Sequence, residues 1–138
     1  MKILVDTCVI LDGLQKREPF WKGAEELFLL AALGKIDGRI TAKSVTDIYY
    51  HMRKLIRNKE KAKEQLYALL ELFQIEDTLA EDCRNAMIGD YTDFEDGVLI
   101  ETAKRTKAAC IVTRNLKDFE TAGVLVVTPD EFLLLMRR

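Results

Sequence analysis

The tightest constraint on this chain is the regular alternation of short apolar runs with amphipathic stretches. Ile3, Leu4 and Val5 form an unbroken apolar run close to the N-terminus, the pattern of a strand buried on both faces. Strand-like runs return at residues 39–42, briefly at Ile75, at residues 108–113 (AACIVT) and at residues 124–127. Between them, apolar residues recur at helical spacing. Trp21, Ala24, Leu27, Phe28, Ala31 and Ala32 do so within residues 19–33, with Pro19 at the first helical position and Gly34 as a stop. Val45, Ile48, Tyr49, Met52 and Ile56 form the next such face, behind a cap at Thr41. Residues 58–74 are basic early and apolar later, residues 79–88 form a short helix closed by Gly89, and Thr92 or Asp93 caps a helix carrying Val98, Leu99, Thr102 and Ala103. Thr128-Pro129-Asp130-Glu131 is a strong helix start, with a cap, a proline at the first position and an acid three residues after the cap. Asp12-Gly13 is expected to break the segment after the first strand, Asp37-Gly38 to form a turn, and residues 114–119 to form a loop. Strands alternating with helices predict an α/β protein: a three-layer α/β/α sandwich around a central, mainly parallel sheet.

With 138 residues, the chain suits one domain spanning 1–138, with enough core to stand alone. No apolar run approaches the roughly 20 residues that a membrane span needs. The N-terminus reads as a strand and not as a secretion signal. Cys8, Cys83 and Cys110 are odd in number and widely spaced, which fits reduced thiols in a cytoplasmic protein better than a disulfide frame or a zinc site. The net charge of −2 gives no overall attraction for nucleic acid, so an anionic substrate must be drawn by a local patch or by a metal.

The opening apolar run ends on Asp6. A lone charge buried where a central strand leaves the core costs several kcal/mol, so it is paired, capping or at work. Ligands of open α/β sheets bind outside the carboxyl ends of the strands, which makes Asp6 the first candidate site residue. Its plain alternative is to cap the turn that follows. Asp47 falls early in the second amphipathic helix, where a carboxylate also gains from the helix dipole. Asp93 and Asp96 open the helix before AACIVT, three residues apart on one face, and Asp93 doubles as a helix cap. Asn115 and Asp118 follow that strand, with Asp118 readable as a plain turn residue. Carboxylates gathered at one edge repel by about 1–4 kcal/mol per close pair, so they must protonate or hold a cation. Oxygen donors without a partnering His or Cys point to Mg2+ or Mn2+. Such ions serve phosphate chemistry, by acidifying water and neutralising the phosphate.

The stretches MKILVDTCVILDGL, TAKSVTDIYYHMRK, DFEDGVLIETA and IVTRNLKDF, with the final VLVVTPDEFL, resemble in order the motifs of PIN-domain ribonucleases. The resemblance covers nearly the whole chain and is closest to the bacterial VapC-like toxins. It implies a parallel sheet sandwiched by helices and metal-dependent hydrolysis of single-stranded RNA that leaves a 5′-phosphate. It also implies an antitoxin partner, and a homodimer is expected. The metal-binding acids map onto Asp6, Asp47 and Asp96, with Asp93 and Asp118 as further candidate ligands. Thr113 and Asn115 occupy the last motif, with Asn115 orienting water or ligand and Thr113 supporting the acids.

Two positions depart from the family pattern. Many relatives carry Glu where Asp47 stands, and an Asp often replaces Asn115. Both changes loosen the expected hold on the metal, and they motivate an alternative: a catalytically weak or inactive module that binds RNA or a partner. Arg114, Lys117, Arg53 and Arg57 are the candidate RNA contacts, although a basic run such as residues 53–63 is more often a solvated face. His51, the single histidine, is read as a surface residue. Tyr50 or Tyr49 is available to stack on a base, and Phe20 and Trp21 suit a dimer or antitoxin surface. A phosphatase using Asp6 as nucleophile is disfavoured, because the second Asp that such enzymes want two residues later is here Cys8.

Overall fold

The computed structural model describes residues 1–119 and 123–137, without the side chain of Asp118. Among the described residues, five strands form one sheet in the order β3-β2-β1-β4-β5, every pairing parallel: β1 (Lys2–Val5), β2 (Asp37–Thr41), β3 (Gln74–Glu76), β4 (Cys110–Val112) and β5 (Val126–Val127). The helices are α1 (Thr7–Leu14), α2 (Trp21–Ala32), α3 (Ala42–Leu55), α4 (Lys59–Leu72), α5 (Ala80–Ile88), α6 (Phe94–Thr106) and α7 (Pro129–Met136). A short 3-10 helix, Leu116–Phe119, follows β4. None of these helices is long and apolar enough to cross a membrane.

Successive side chains of a strand point to opposite faces of a sheet. Ile3 and Val5 accordingly join one core with Leu27, Ile40, Phe73 and Phe132, whereas Leu4 joins a second with Leu99, Ile100, Ile111 and Phe119. α1, α2, α3, α4 and α7 spend apolar residues on the first core and α6 on the second, with α5 packed against α6, and the expected three layers result. Each fully buried Leu or Ile contributes about 1.5–3 kcal/mol, so the two cores dominate the stability.

The strand order fixes the site. From β1 the chain moves to one side through β2 and β3, then crosses to the other side at β4. The carboxyl ends of β1 and β4 therefore flank the point where the winding reverses, the usual ligand position of an open α/β sheet. Asp6 and Thr113 are the residues that follow these two strands. The Asp6 amide donates to Val112 O at 2.9 Å and the Thr113 amide to Val127 O at 2.9 Å, which locks both into the sheet edge.

The caps read from the sequence hold. Thr41 Oγ1 accepts from the Ser44 amide at 3.2 Å and Asp93 Oδ1 from the Asp96 amide at 3.1 Å; Asn58, not picked out as a cap, also accepts from the Lys61 amide at 3.1 Å. The Thr128–Glu131 capping box is complete, at 3.1 and 2.9 Å. Each such cap is worth about 0.5–2 kcal/mol.

The two Asp-Gly pairs behave otherwise. Asp12-Gly13 does not break α1, which continues to Leu14. Asp12 is buried and ion-paired, and a Cβ on Gly13 would meet Phe28 Cζ at 2.6 Å. The glycine is there to let α2 approach. Asp37-Gly38 is the start of β2 and not a turn; a Cβ on Gly38 would lie 2.6 Å from Phe73 Cδ1. Pro19 precedes the first helix turn instead of opening it, since α2 starts at Trp21.

Asp82 ties α5 to α6 on the second face. Its side chain is 1% exposed and accepts from Arg105 Nε at 2.9 Å, Arg105 Nη2 at 3.0 Å, the Leu79 amide at 2.9 Å and Thr102 Oγ1 at 3.1 Å. Burial pushes its pKa up, but these donors and the Arg105 charge outweigh it and hold the carboxyl below its ordinary value. A depressed folded pKa gives stability that is present above the unfolded value and lost as pH falls through the folded one. Asp82→Asn is therefore expected to cost about 1–3 kcal/mol at neutral pH, and the deficit should shrink in acid. Urea titrations at pH 7 and pH 3 check this; an equal deficit at both would rule the charge out as its source.

Candidate active site

Three helix N-termini open into one cleft of about 320 Å3 at the reversal point of the sheet. Asp6 and Thr7 come from the start of α1, Thr41, Lys43 and Ser44 from the start of α3, and Glu95 and Asp96 from the start of α6. Further along α3, Asp47, Tyr50 and His51 add to the wall, with Val98, Leu99 and Thr102 of α6. The positive ends of three helix dipoles thus face a pocket of four carboxylates and lessen their mutual repulsion. Asp6, Asp47 and Asp96, 90 residues apart in sequence at the extremes, line the same space.

Asp6 is the most constrained of these acids. Its Oδ1 accepts from the Thr7 amide at 2.8 Å, and its Oδ2 accepts from Thr113 Oγ1 at 2.8 Å and from Cys8 Sγ at 3.5 Å. Thr113 is fully buried, and its hydroxyl oxygen in turn accepts from the Asn115 amide at 3.2 Å. Burial pushes the Asp6 carboxyl above its ordinary value. The hydrogen bonds from Thr113, Cys8 and Thr7, with the Arg114 charge, pull it down without cancelling that effect. Burial beside Asp6 also pushes the Cys8 thiol up to about 11, so Cys8 is a neutral donor and not a nucleophile. A carboxylate has about four lone-pair sites, and three accept from neutral donors here, which leaves Asp6 a site for one further partner.

Asp47 and Glu95 share an ammonium. Lys43 Nζ lies 2.5 Å from Asp47 Oδ2 and 3.2 Å from Glu95 Oε2. Burial lowers the Lys43 pKa, but its bonds to Asp47 and Glu95 more than offset this and hold it above the ordinary value.

The donor set is all oxygen, which suits a hard divalent ion such as Mg2+ or Mn2+. The open lone pair on Asp6 and the shared lining of Asp47 and Asp96 fit that chemistry. The ligands are not preassembled, however: among the described residues no group of three or more His, Cys, Asp or Glu side chains stands ready to hold a metal ion.

The other expected residues fall outside the lining. Thr113 stands behind Asp6. Asn115 contributes its amide to Thr113, with its side chain at the exposed surface. Asp93 is exposed and caps α6. The side chain of Asp118 lies outside the described residues. Arg114, a candidate RNA contact, is engaged within the chain. Its Nε donates to the buried Asp12 at 2.7 Å, and its guanidinium covers the Phe20 ring at 4.6 Å, so it braces α1 against the end of β4. Arg53 donates to Ile56 O at 3.4 Å near the end of α3, and Arg57 and Lys117 are exposed; none of the three lines the cleft. His51, expected at the surface, lines it.

Lys43 and Glu95 were not picked out from the sequence. The signal for Lys43 was present, a Lys four residues before Asp47 on one helix face, and Glu95 is the neighbour of Asp96.

The PIN domain family matches residues 2–117 of the chain. No curated protein sequence matches it. Among solved structures, the chain is similar to a toxin–antitoxin complex from Klebsiella pneumoniae, at 20% identity and a TM-score of 0.69, over 92% of this chain and 97% of that one. It is likewise similar to VapBC2 from Rickettsia felis bound to a DNA fragment of its promoter, at 19% identity and a TM-score of 0.66, with the same coverage. A third relative in fold is VapC20 of Mycobacterium tuberculosis, a toxin that cleaves the sarcin–ricin loop, at 14% identity and a TM-score of 0.64, over 89% of this chain and 96% of that one.

Proposed function

The chain belongs to the PIN domain family, and from that premise we propose that it is a divalent-metal-dependent endoribonuclease acting on single-stranded RNA, the toxin half of a toxin–antitoxin pair. One observation carries this reading: Asp6, Asp47 and Asp96 meet in one cleft where the sheet reverses its winding. These three acids would hold Mg2+ or Mn2+. An ion bound there supplies Lewis-acid activation of water and neutralises phosphate charge. The chain's own residues do the positioning. Thr113 fixes the rotamer of Asp6, and the Asn115 amide fixes Thr113. Tyr50 lines the cleft, 61% exposed, with the Lys54 ammonium 4.5 Å from its ring centre, and an unpaired base that stacks on this ring would do so beside that cation.

The toxin–antitoxin relatives support an antitoxin partner, and VapC20 supports RNA as the substrate class. A homodimer and a cytoplasmic site of action belong to the same reading.

Incubating the protein with a single-stranded RNA oligonucleotide tests it. Cleavage is expected with Mn2+ and not with EDTA, and Asp47→Asn or Asp96→Asn should slow it about a hundredfold, or about 2.7 kcal/mol of lost charge stabilisation. Undiminished cleavage in EDTA would refute the metal requirement.

A second reading, a binding module without catalysis, is favoured by the Lys43 ammonium that already sits on Asp47 and by the neutral Asn115. Calorimetry that finds no Mn2+ binding at millimolar ion would select it.

A further inference from the structure

A cation in the first turn of a helix opposes the helix dipole, and a Lys placed four residues before an acid is the weaker of the two ion-pair orientations. Lys43 has both disadvantages, in the first turn of α3 and four residues before Asp47. Local helix energetics therefore do not account for its position. What does is the cleft: its ammonium reaches Asp47 on its own helix and, at 3.2 Å, Glu95 on α6, across a space that also contains Asp6 and Asp96. Four acids line that space, and the Lys43 ammonium is paired with two of them, Asp47 and Glu95.

We propose that Lys43 is a built-in counter-cation of this cleft, holding Asp47 and Glu95 together until a divalent ion takes Asp47 and drives the ammonium out. The inference rests on the metal-site reading given above. The displacement follows from charge. An ion held by Asp6, Asp47 and Asp96 places two positive charges beside a third, a repulsion that the flexible four-carbon stem relieves by swinging outward. The Lys43 side chain is already 40% exposed, so the route out is open. The tethered charge competes with the metal for Asp47, lowers the affinity of the site, and balances Asp47 and Glu95 in the ion-free cleft. It also accounts for the incomplete ligand group, because Asp47 is turned to the ammonium.

The test is Mn2+ calorimetry on the wild-type, Lys43→Met and Lys43→Arg proteins at one pH and one ionic strength. Lys43→Met is expected to bind Mn2+ about threefold to tenfold more tightly, and Lys43→Arg to stay within about twofold of the wild type, because it keeps the charge. A second measurement needs no variant: mass-spectrometric mapping of amine acetylation should show Lys43 labelled faster once Mn2+ is added. If the wild type binds Mn2+ but Lys43→Met binds no tighter, or Lys43 labelling is unchanged by the ion, the counter-cation role is overturned and the metal site stands. If neither wild type nor Lys43→Met binds Mn2+, both inferences fall together.

Discussion

Asp6→Asn is expected to remove Mn2+ binding, slow RNA cleavage by about a hundredfold to a thousandfold, and yet raise the Tm of the metal-free protein by about 2–5 °C. The opposite signs have one cause. Burial holds the Asp6 carboxyl above its ordinary pKa, so the folded chain accommodates the charged form less well than the unfolded chain does. For a raised acid, the stability contribution is fully present below the unfolded pKa, about 3.9, and is lost as pH rises through the folded value. At neutral pH the metal-free wild type therefore carries a penalty that the amide lacks. Asparagine can keep accepting from the Thr7 amide, and its NH2 group can donate to Thr113, whose hydroxyl rotates to suit. Calorimetric scans from pH 3 to pH 8 read the difference directly. It should be small in acid, grow through the folded pKa of Asp6, and reverse when Mn2+ stabilises only the wild type. Parallel curves across that range would show that Asp6 bears no burial penalty.

Asp12→Ala is expected to lower the Tm by about 8–15 °C, from a loss of about 2–4 kcal/mol. Asp12 is 2% exposed in its side chain and takes Arg114 Nε at 2.7 Å, with Arg17 Nη1 at 3.9 Å. Truncation leaves the Arg114 guanidinium, 28% exposed and seated on Phe20, without its counter-charge. The remaining exposure keeps the cost below that of a fully buried pair. Arg114 is the neighbour of Thr113, so loosening it also loosens the hydroxyl that holds Asp6, and Mn2+ affinity should fall with the Tm. A double variant, Asp12→Leu with Arg114→Met, should recover most of the stability, because replacing both members of a buried pair by apolar groups is close to neutral. Thermal melts of the three proteins decide this. If Asp12→Ala melts with the wild type, the pair carries no such weight.

Much of the architecture was legible because it depends on neighbours. Strand and helix alternation follows from apolar spacing within each segment, and the caps at Thr41, Asp93 and Thr128 act over three residues. Asp6 announced itself because a charge ended a buried run. The misread features are those settled by a distant part of the chain. Gly13 and Gly38 look like turn residues alone, but each makes room for a phenylalanine on another helix or at its end. Nor does any local pattern show that Arg114, beside the last motif, is paired with Asp12, 102 residues away.

The sequence by itself therefore determined the α/β layering, the helix boundaries to within a few residues, and the candidate acids with the family they resemble. Only the tertiary structure decided that Asp6, Asp47 and Asp96 share one cleft, that Lys43 already occupies part of it, and that Arg114 is bound elsewhere. The division has a physical reason. Backbone propensity, capping and amphipathic period act within about four residues and leave a local trace. The balance of charge in a cleft depends on which helix ends the sheet order brings together, and no local pattern records that order.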